Sequence, residues 1–593
     1  MKFVNVFLAA LLAFVAGTVV LFVLWIALVL GMVGSMSGSA PVVEEQSILK
    51  IDLSEMITDA PSTDPMAGLD LMTLQATPQL SLYSALRAID AAAGDERIKG
   101  IYLRMNGAGA TMETAVMEEL RETLVQFKES GKFILSYNES YTQGSYYLAT
   151  AADKIYLQPE GSMEWSGLAS NLIFFKGLID KLGLDIEIFR PTACRYKSAV
   201  EPYFMTRMSD ENRAQMQALV DSTWKTLTEN ISKARGISVE ELNRLADELE
   251  VMLPMEAVEH KLIDGVCYED QMEEKFLAQG VEADKEGNLR FVSLGDYAAQ
   301  VGPDLDHLTS PEVALVYAQG EIVDGEGSGA QIFGNSLAAK LREVREDENV
   351  KAVVLRVNSP GGSALASDVI WREMELLKAQ KPVIVSMGSY AASGGYYISA
   401  PADAILSDRM TLTGSIGVFG MFMNPTKALQ KNLGITMDGV KTNRSAGMGQ
   451  REPLTAAERR AVMRGVDKVY ERFTGLVSEG RNLPIEKVLE IAGGRVWSGS
   501  DALEIGLVDG LGGLKMALAL AAEKADLGED FQVVEKTEVP TGFAAVMSAL
   551  SAKVKAEVTR TELEKVMEEY QHVKEALQQQ GIVMYSPYRL ELN

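Results

Sequence analysis

The chain has 593 residues, 47% of them hydrophobic and 23% charged, so it is too long for one compact core and too apolar for extensive disorder. Its formal net charge of −26 excludes a nucleic-acid partner, because phosphate binding needs a basic face. Two cysteines (Cys194, Cys267) and three histidines (His260, His307, His572) give no disulfide framework and no metal-ligand spacing, so no cofactor is expected, and any catalytic base is expected not to be histidine.

Phe3 to Val33 is uncharged and almost wholly apolar. Roughly 20 residues at about 1.5 Å each span a bilayer core, so this run predicts a transmembrane helix within an anchor at residues 1–40. It is longer than the apolar core of a cleaved signal peptide. Lys2 precedes it and the first charges beyond are Glu44 and Glu45, which orients the N-terminus inward and the remainder outward.

The rest contains an internal duplication. IKGIYLRMNGAGA from Ile98 matches VKAVVLRVNSPGG from Val350, and GSYYLATAADKIYL from Gly144 matches GGYYISAPADAIL from Gly394. KLIDGV (261–266) matches GLVDGL (506–511). Two tandem repeats follow, at 41–310 and 311–530. Each reads as α/β: Ala352–Val357 and Val383–Met387 are Val-rich runs suited to strands buried on both faces, and Ala364–Gln380 between them has helical spacing. Such alternation predicts right-handed crossover units. Residues 531–593 form a tail in which Val554–Gln580 reads as a helix.

The candidate chemistry lies where the repeats differ. In the second repeat, Ser393 follows a buried strand and opens a short helix, with Gly394 and Gly395 leaving room for a substrate backbone. Asn358–Ser363 (NSPGGS) joins a strand to a helix and can expose N–H groups on the same sheet edge; it lacks the Lys-Ser/Thr of a nucleotide loop. In the first repeat Gln143 stands at the position of Ser393, and Ala108-Gly109-Ala110 replaces Pro360-Gly361-Gly362. That repeat instead carries Lys197, in CRYKSAVEPY, where the second has Arg444, which stays charged and cannot be a base. One repeat keeps a serine and the other a lysine, which points to one site shared between two repeats or between neighbouring chains. A free lysine has a pKa of about 10.4, so desolvation must lower it to roughly 7–8 for it to work as a base. Tyr196, Ala199 and Val200 allow a dry setting, whereas Glu201 would oppose it if close.

YKSAVEP around Lys197, RVNSPGG at Arg356–Gly362, AASGGYY at Ala391–Tyr397 and LTGSIGVFG at Leu412–Gly420 resemble the long, duplicated, membrane-anchored signal peptide peptidase A family. The resemblance implies a Clp protease/crotonase-like fold for each repeat, with Ser393 as nucleophile and Lys197 as general base. It implies that Ser415 orients the lysine and that Gly361 and Gly394 supply the oxyanion N–H groups. It further implies a homotetramer on the outer face of the bacterial inner membrane that degrades released signal peptides. Tyr390 departs from the methionine of some members. Two other readings share parts of this pattern. A crotonase-like acyl-CoA enzyme predicts acidic groups near the glycines and no anchor, and an inactive membrane scaffold predicts decay of the serine and lysine.

Overall fold

The computed structural model describes residues 43–52, 56–61, 69–70, 75–76, 79–105, 112–301, 310–537 and 581–585. The anchor expected at 1–40, Ala108-Gly109-Ala110 and the helix expected at Val554–Gln580 lie outside the described residues. Among the described residues no helix is long and apolar enough to cross a membrane.

Two sheets dominate, parallel except for the antiparallel pairing of Val496–Ser498 with Leu412–Gly414 at one edge of the second. The first is six-stranded, in the order Gly265–Val266, Lys154–Met163, Phe133–Tyr141, Ile98–Arg104, Ser47–Asp52, Arg290–Ser293. The path through the second, eight-stranded sheet is Val496–Ser498, Leu412–Gly414, Val383–Ala392, Val350–Ser359, Glu312–Gln319, Gln532–Glu535. Ala404–Ser407 also pairs with Val383–Ala392 and leads on to Gly510–Leu511. The last strand of the main path, Gln532–Glu535, falls within the segment read from the sequence as tail; it pairs with Glu312–Gln319 as Arg290–Ser293 pairs with Ser47–Asp52.

The apolar runs form strands because both faces are covered. In the second sheet Val353, Leu355, Val383 and Val385 pack on one side against Leu341, Ile370 and Met374, from the helices Gly334–Glu346 and Ala364–Lys378. Their neighbours Ala352, Val354 and Ile384 point the other way, onto Leu514, Leu518 and Ala521 of the helix Leu514–Lys524. Alternation with period two thus puts apolar side chains on both faces of one strand, which reads in sequence as a continuous run.

The duplication extends to individual hydrogen bonds. The carboxylates of Asp153 and Asp403 accept from the Ile134 and Val383 N–H groups. Tyr146 and Tyr396 donate to the carbonyls of Leu262 and Leu507, and Lys132 and Lys381 each donate to two carbonyls at the C-terminal ends of the helices Leu82–Gly94 and Gly334–Glu346.

A third, mixed sheet joins the halves. Its order is Ile332–Phe333, Ile322–Val323, Gly361–Ser363, Gly581–Tyr585, Phe419–Asn424, Asp185–Phe189. Asp185–Phe189 belongs to the first repeat and pairs antiparallel with Phe419–Asn424 of the second, from Gly420↔Phe189 to Asn424↔Asp185. This pairing carries the loop after Phe189, and Lys197 with it, across to the second repeat.

Candidate active site

The strand Val383–Ala392 ends in a sharp turn at Ser393, which caps the helix Gly394–Ser399 with φ 57° and ψ −111°. Positive φ is uncommon for a residue bearing a side chain and is held only where the surroundings determine it. Here the Ser393 N–H donates to the Gly414 carbonyl at 2.8 Å, and the Ser393 carbonyl accepts from the Tyr397 N–H at 2.9 Å. Ser415 has φ 50° and is fixed by its N–H donating to the Arg495 carbonyl at 2.8 Å.

Lys197 of the first repeat reaches into this corner within the same chain. Its Nζ donates to Ser393 Oγ at 2.6 Å, to Ser415 Oγ at 2.9 Å and to the Ser415 carbonyl at 3.0 Å. Ser393 is fully buried and Lys197 is 1% exposed. Burial lowers the lysine from its ordinary 10.5 to about 7, with only a weak opposing influence from Cys194. Glu201 does not oppose this: its carboxylate accepts from the Ser209 N–H at 3.1 Å, Ser209 Oγ at 2.5 Å and Asn212 Nδ2 at 2.8 Å. Cys194 and Cys267 are both free buried thiols, and burial pushes the Cys194 thiol up, so it stays protonated.

Groups that the sequence did not reveal hold the lysine loop. Gly493 accepts from the Tyr196 N–H at 2.9 Å. Gly494 has φ +80°, and a Cβ built there would lie 2.6 Å from the Lys197 Cβ. Gln215, on the helix Asp210–Arg235, donates to the Tyr196 carbonyl at 3.1 Å and accepts from the Val496 N–H at 3.2 Å, so it ties the loop to the far edge of the second sheet. The Arg190 guanidinium donates to the Lys197 carbonyl at 2.9 Å. The adjacent glycines of AGGRVW were the one available signal.

Gly361 and Gly362 have φ 100° and 155°. A Cβ at Gly394 would lie 3.1 Å from the Gly361 Cα and 3.2 Å from the Gly362 nitrogen, so the two glycine backbones meet beside Ser393. The Gly361 N–H donates to Ser359 Oγ at 3.1 Å. In the first repeat, Gln143 is locked: its Nε2 donates to the Gly167 carbonyl at 2.9 Å and its Oε1 accepts from the Gly167 N–H at 2.8 Å. Arg444 is exposed. Among the described residues no His/Cys/Asp/Glu cluster could hold a metal.

Models of peptidase family S49 match residues 126–282 and 375–528, and a Clp protease model matches 317–428. The chain belongs to peptidase family S49. It is a serine protease with a duplicated α/β, Clp protease-like fold. Protease 4 of Salmonella typhi is 36% identical over 522 residues, which cover 86% of this chain and 83% of that one. Protease 4 of Haemophilus influenzae is 36% identical over 77% of this chain and 75% of its own length. The chloroplastic serine protease SPPA of Arabidopsis thaliana is 32% identical over 86% of this chain and 74% of its own. The two segments matched by the S49 model include Lys197 in one and Ser393 in the other.

Proposed function

We propose that this S49 peptidase cuts unfolded apolar peptides, released signal peptides among them, through a Ser393–Lys197 dyad. The observation that carries this reading is a buried lysine with its Nζ 2.6 Å from a buried serine hydroxyl and a pKa of about 7. At that value about half of the lysine is a free amine near neutral pH, against well under 1% for an ordinary lysine. The neutral amine takes the Ser393 proton as Oγ attacks the peptide carbonyl. The N–H groups of Gly361 and Gly394 hold the oxyanion, and Ser415 keeps Nζ aimed at Ser393. The ammonium then gives its proton to the leaving amine, which departs as the tetrahedral intermediate collapses to the acyl-enzyme. Water, deprotonated by the same lysine, adds to the ester carbonyl; release of the acid restores Ser393.

The proposed setting is the outer face of the bacterial inner membrane, with the apolar run at Phe3–Val33 as a single-pass anchor and a homotetramer as the working assembly. At such a surface extended apolar segments are the available material. Neither alternative reading is favoured: the groups beside the paired glycines are a serine and a lysine rather than carboxylates, which counts against acyl-CoA chemistry.

The test is cleavage of a synthetic signal peptide by the wild type, Ser393→Ala and Lys197→Ala between pH 6 and 10. The expected outcome is a wild-type kcat/KM that rises with pH through an apparent pKa near 7, as the lysine loses its proton, and a loss of about 10³-fold or more in both variants. A Lys197→Ala enzyme of near wild-type rate removes the lysine from the mechanism.

A further inference from the structure

The first repeat carries a cavity of about 450 Å³ between its sheet and the helix Met272–Ala278. Lys50, Tyr102 and Phe291 line it from three neighbouring strands, and Glu273 and Phe276 line it from the helix. Glu269 and Asp270 stand just before that helix. None of these residues belongs to the dyad or to the groups that hold it.

The lining is acidic and aromatic. Three carboxylates, Glu269, Asp270 and Glu273, stand against one ammonium, Lys50, whose Nζ is already 3.3 Å from Asp52. Glu269 pairs with Arg104 at 2.7 Å, whereas Asp270 and Glu273 make no ion pair among the described residues. The rings of Tyr102, Phe276 and Phe291 lie 5.0, 5.8 and 6.1 Å from one another. Tyr102 is 5% exposed, and its hydroxyl has no hydrogen-bond partner among the described residues. Leaving a buried hydroxyl unpaired is costly, and a ligand that bonds it removes that cost.

The duplication shows which of these groups the packing requires. Lys50 lies opposite Tyr102 in the first sheet as Leu315 lies opposite Val354 in the second. The match of 261–266 with 506–511 sets Glu269 and Glu273 against Leu514 and Leu518. All four second-repeat residues are apolar, at most 5% exposed, and belong to one core. The same sheet-and-helix interface therefore closes with leucine and valine, and an ammonium, a phenol and two carboxylates are not needed to build it.

We propose that this cavity binds an alkylammonium group, as borne by a lysine side chain of a peptide or by a free alkyl amine. The ammonium sits against Glu273, Asp270 and the Tyr102 hydroxyl, and its methylene stem lies along Phe276 and Phe291. Aromatic faces attract a cation and cover its stem. The carboxylates balance its charge, and the Tyr102 oxygen accepts from one of its N–H donors. The excess of carboxylates repels an anion, and a purely apolar ligand leaves the hydroxyl unpaired.

Calorimetry on the full chain tests this with four probes: n-hexylamine, hexan-1-ol, an end-blocked glycine peptide with lysine at its centre, and the same peptide with norleucine there. At least one amine-bearing probe is expected to bind about tenfold more tightly than its neutral counterpart. Tighter binding of the lysine peptide assigns the group to a polypeptide; tighter binding of hexylamine assigns it to a free amine. Tyr102→Phe and Glu273→Gln are each expected to weaken that binding several-fold. Tyr102→Phe removes only an unpaired hydroxyl and should melt no lower than the wild type, and Glu273 is exposed, so its variant leaves the core untouched. Equal binding of amine and neutral probe, no binding of any probe, or unaltered affinity in either variant overturns the proposal. Binding is read without turnover, so the outcome does not depend on the Ser393–Lys197 reading.

Discussion

Lys197 shows how strongly surroundings decide what a side chain does. The same sequence would give an ordinary surface lysine if its loop faced water; here it is enclosed, and its amine donates to Ser393 Oγ, Ser415 Oγ and the Ser415 carbonyl. Its folded pKa of about 7 lies below the unfolded value of about 10.4, so between these the unfolded chain holds more protons. Stability therefore rises with pH across that window, and the cost of the buried lysine is greatest at and below pH 7. Lys197→Met should melt higher than the wild type at pH 7, by a few kcal/mol in order of magnitude, with the gap closing as pH approaches 10.5. A gap that does not change with pH, read by thermal melts at several pH values, would show that burial is not what sets the lysine's proton. Gly494 is the steric counterpart. An Ala side chain there would meet the Lys197 backbone and Cβ, at a φ that L residues rarely adopt. Gly494→Ala should lower kcat by about 10²-fold through a misplaced amine, with KM little changed. Ser393 and Lys197 were legible in the sequence because comparing the repeats isolates the positions where they diverge. Gly494 and Gln215 were not, because their roles depend on close approach between segments far apart in the chain, for which no periodicity exists.

At the scale of elements, the buried strands were legible and their ends were not. The run Val383–Met387 predicts a strand, but pairing continues to Ala392 because Leu412–Gly414 supplies a partner for Tyr390, Ala391 and Ala392. The two alanines carry no strand signal of their own. The mixed sheet escaped sequence reading altogether: its pieces are two to six residues long, two of them begin at a glycine, and their partners are brought together only by the folded repeats. The strand–turn–helix units around Gln143 and Ser393 give a test at this scale. Moving the hydroxyl to the first repeat, in a Gln143→Ser, Ser393→Ala double variant, should leave the protein inactive, since the neighbouring repeat offers the exposed Arg444 where a buried amine is needed. Peptidase activity in that variant would show that the turn alone activates the serine.

Across the whole molecule, the repeats are clamped by buried charge as well as by strands. Arg356 is 0% exposed; its Nη2 lies 2.6 Å from Asp59 Oδ1 and 2.7 Å from Glu119 Oε1, while Nη1 donates to Ser386 Oγ at 2.7 Å on the strand that leads to Ser393. Arg409 pairs with Glu118 at 2.8 Å across the same boundary. Removing one member leaves the others buried and unpaired, so Arg356→Met should cost about 3–5 kcal/mol and lower activity by loosening the join, measured by melting temperature and kcat together. Asp408 lies nearby, and burial, with the charges of Glu119 and Glu118, pushes its carboxyl well above the usual range. Its folded form keeps a proton that the unfolded chain has lost, so stability falls as pH rises above about 4. Asp408→Asn should remove that loss, with an advantage over the wild type that grows toward alkaline pH in thermal melts.

The division of the dyad between the repeats bears on biosynthesis. A polypeptide emerging from the ribosome displays Lys197 long before Ser393 has been made, and the lysine acquires its unusual proton affinity only once the second repeat has closed over it. On the Ser/Lys reading, a growing chain that still lacks the second repeat is chemically silent. Hydrolysis begins only when both repeats have been made and have docked, so the neighbours of an unfinished protease are spared.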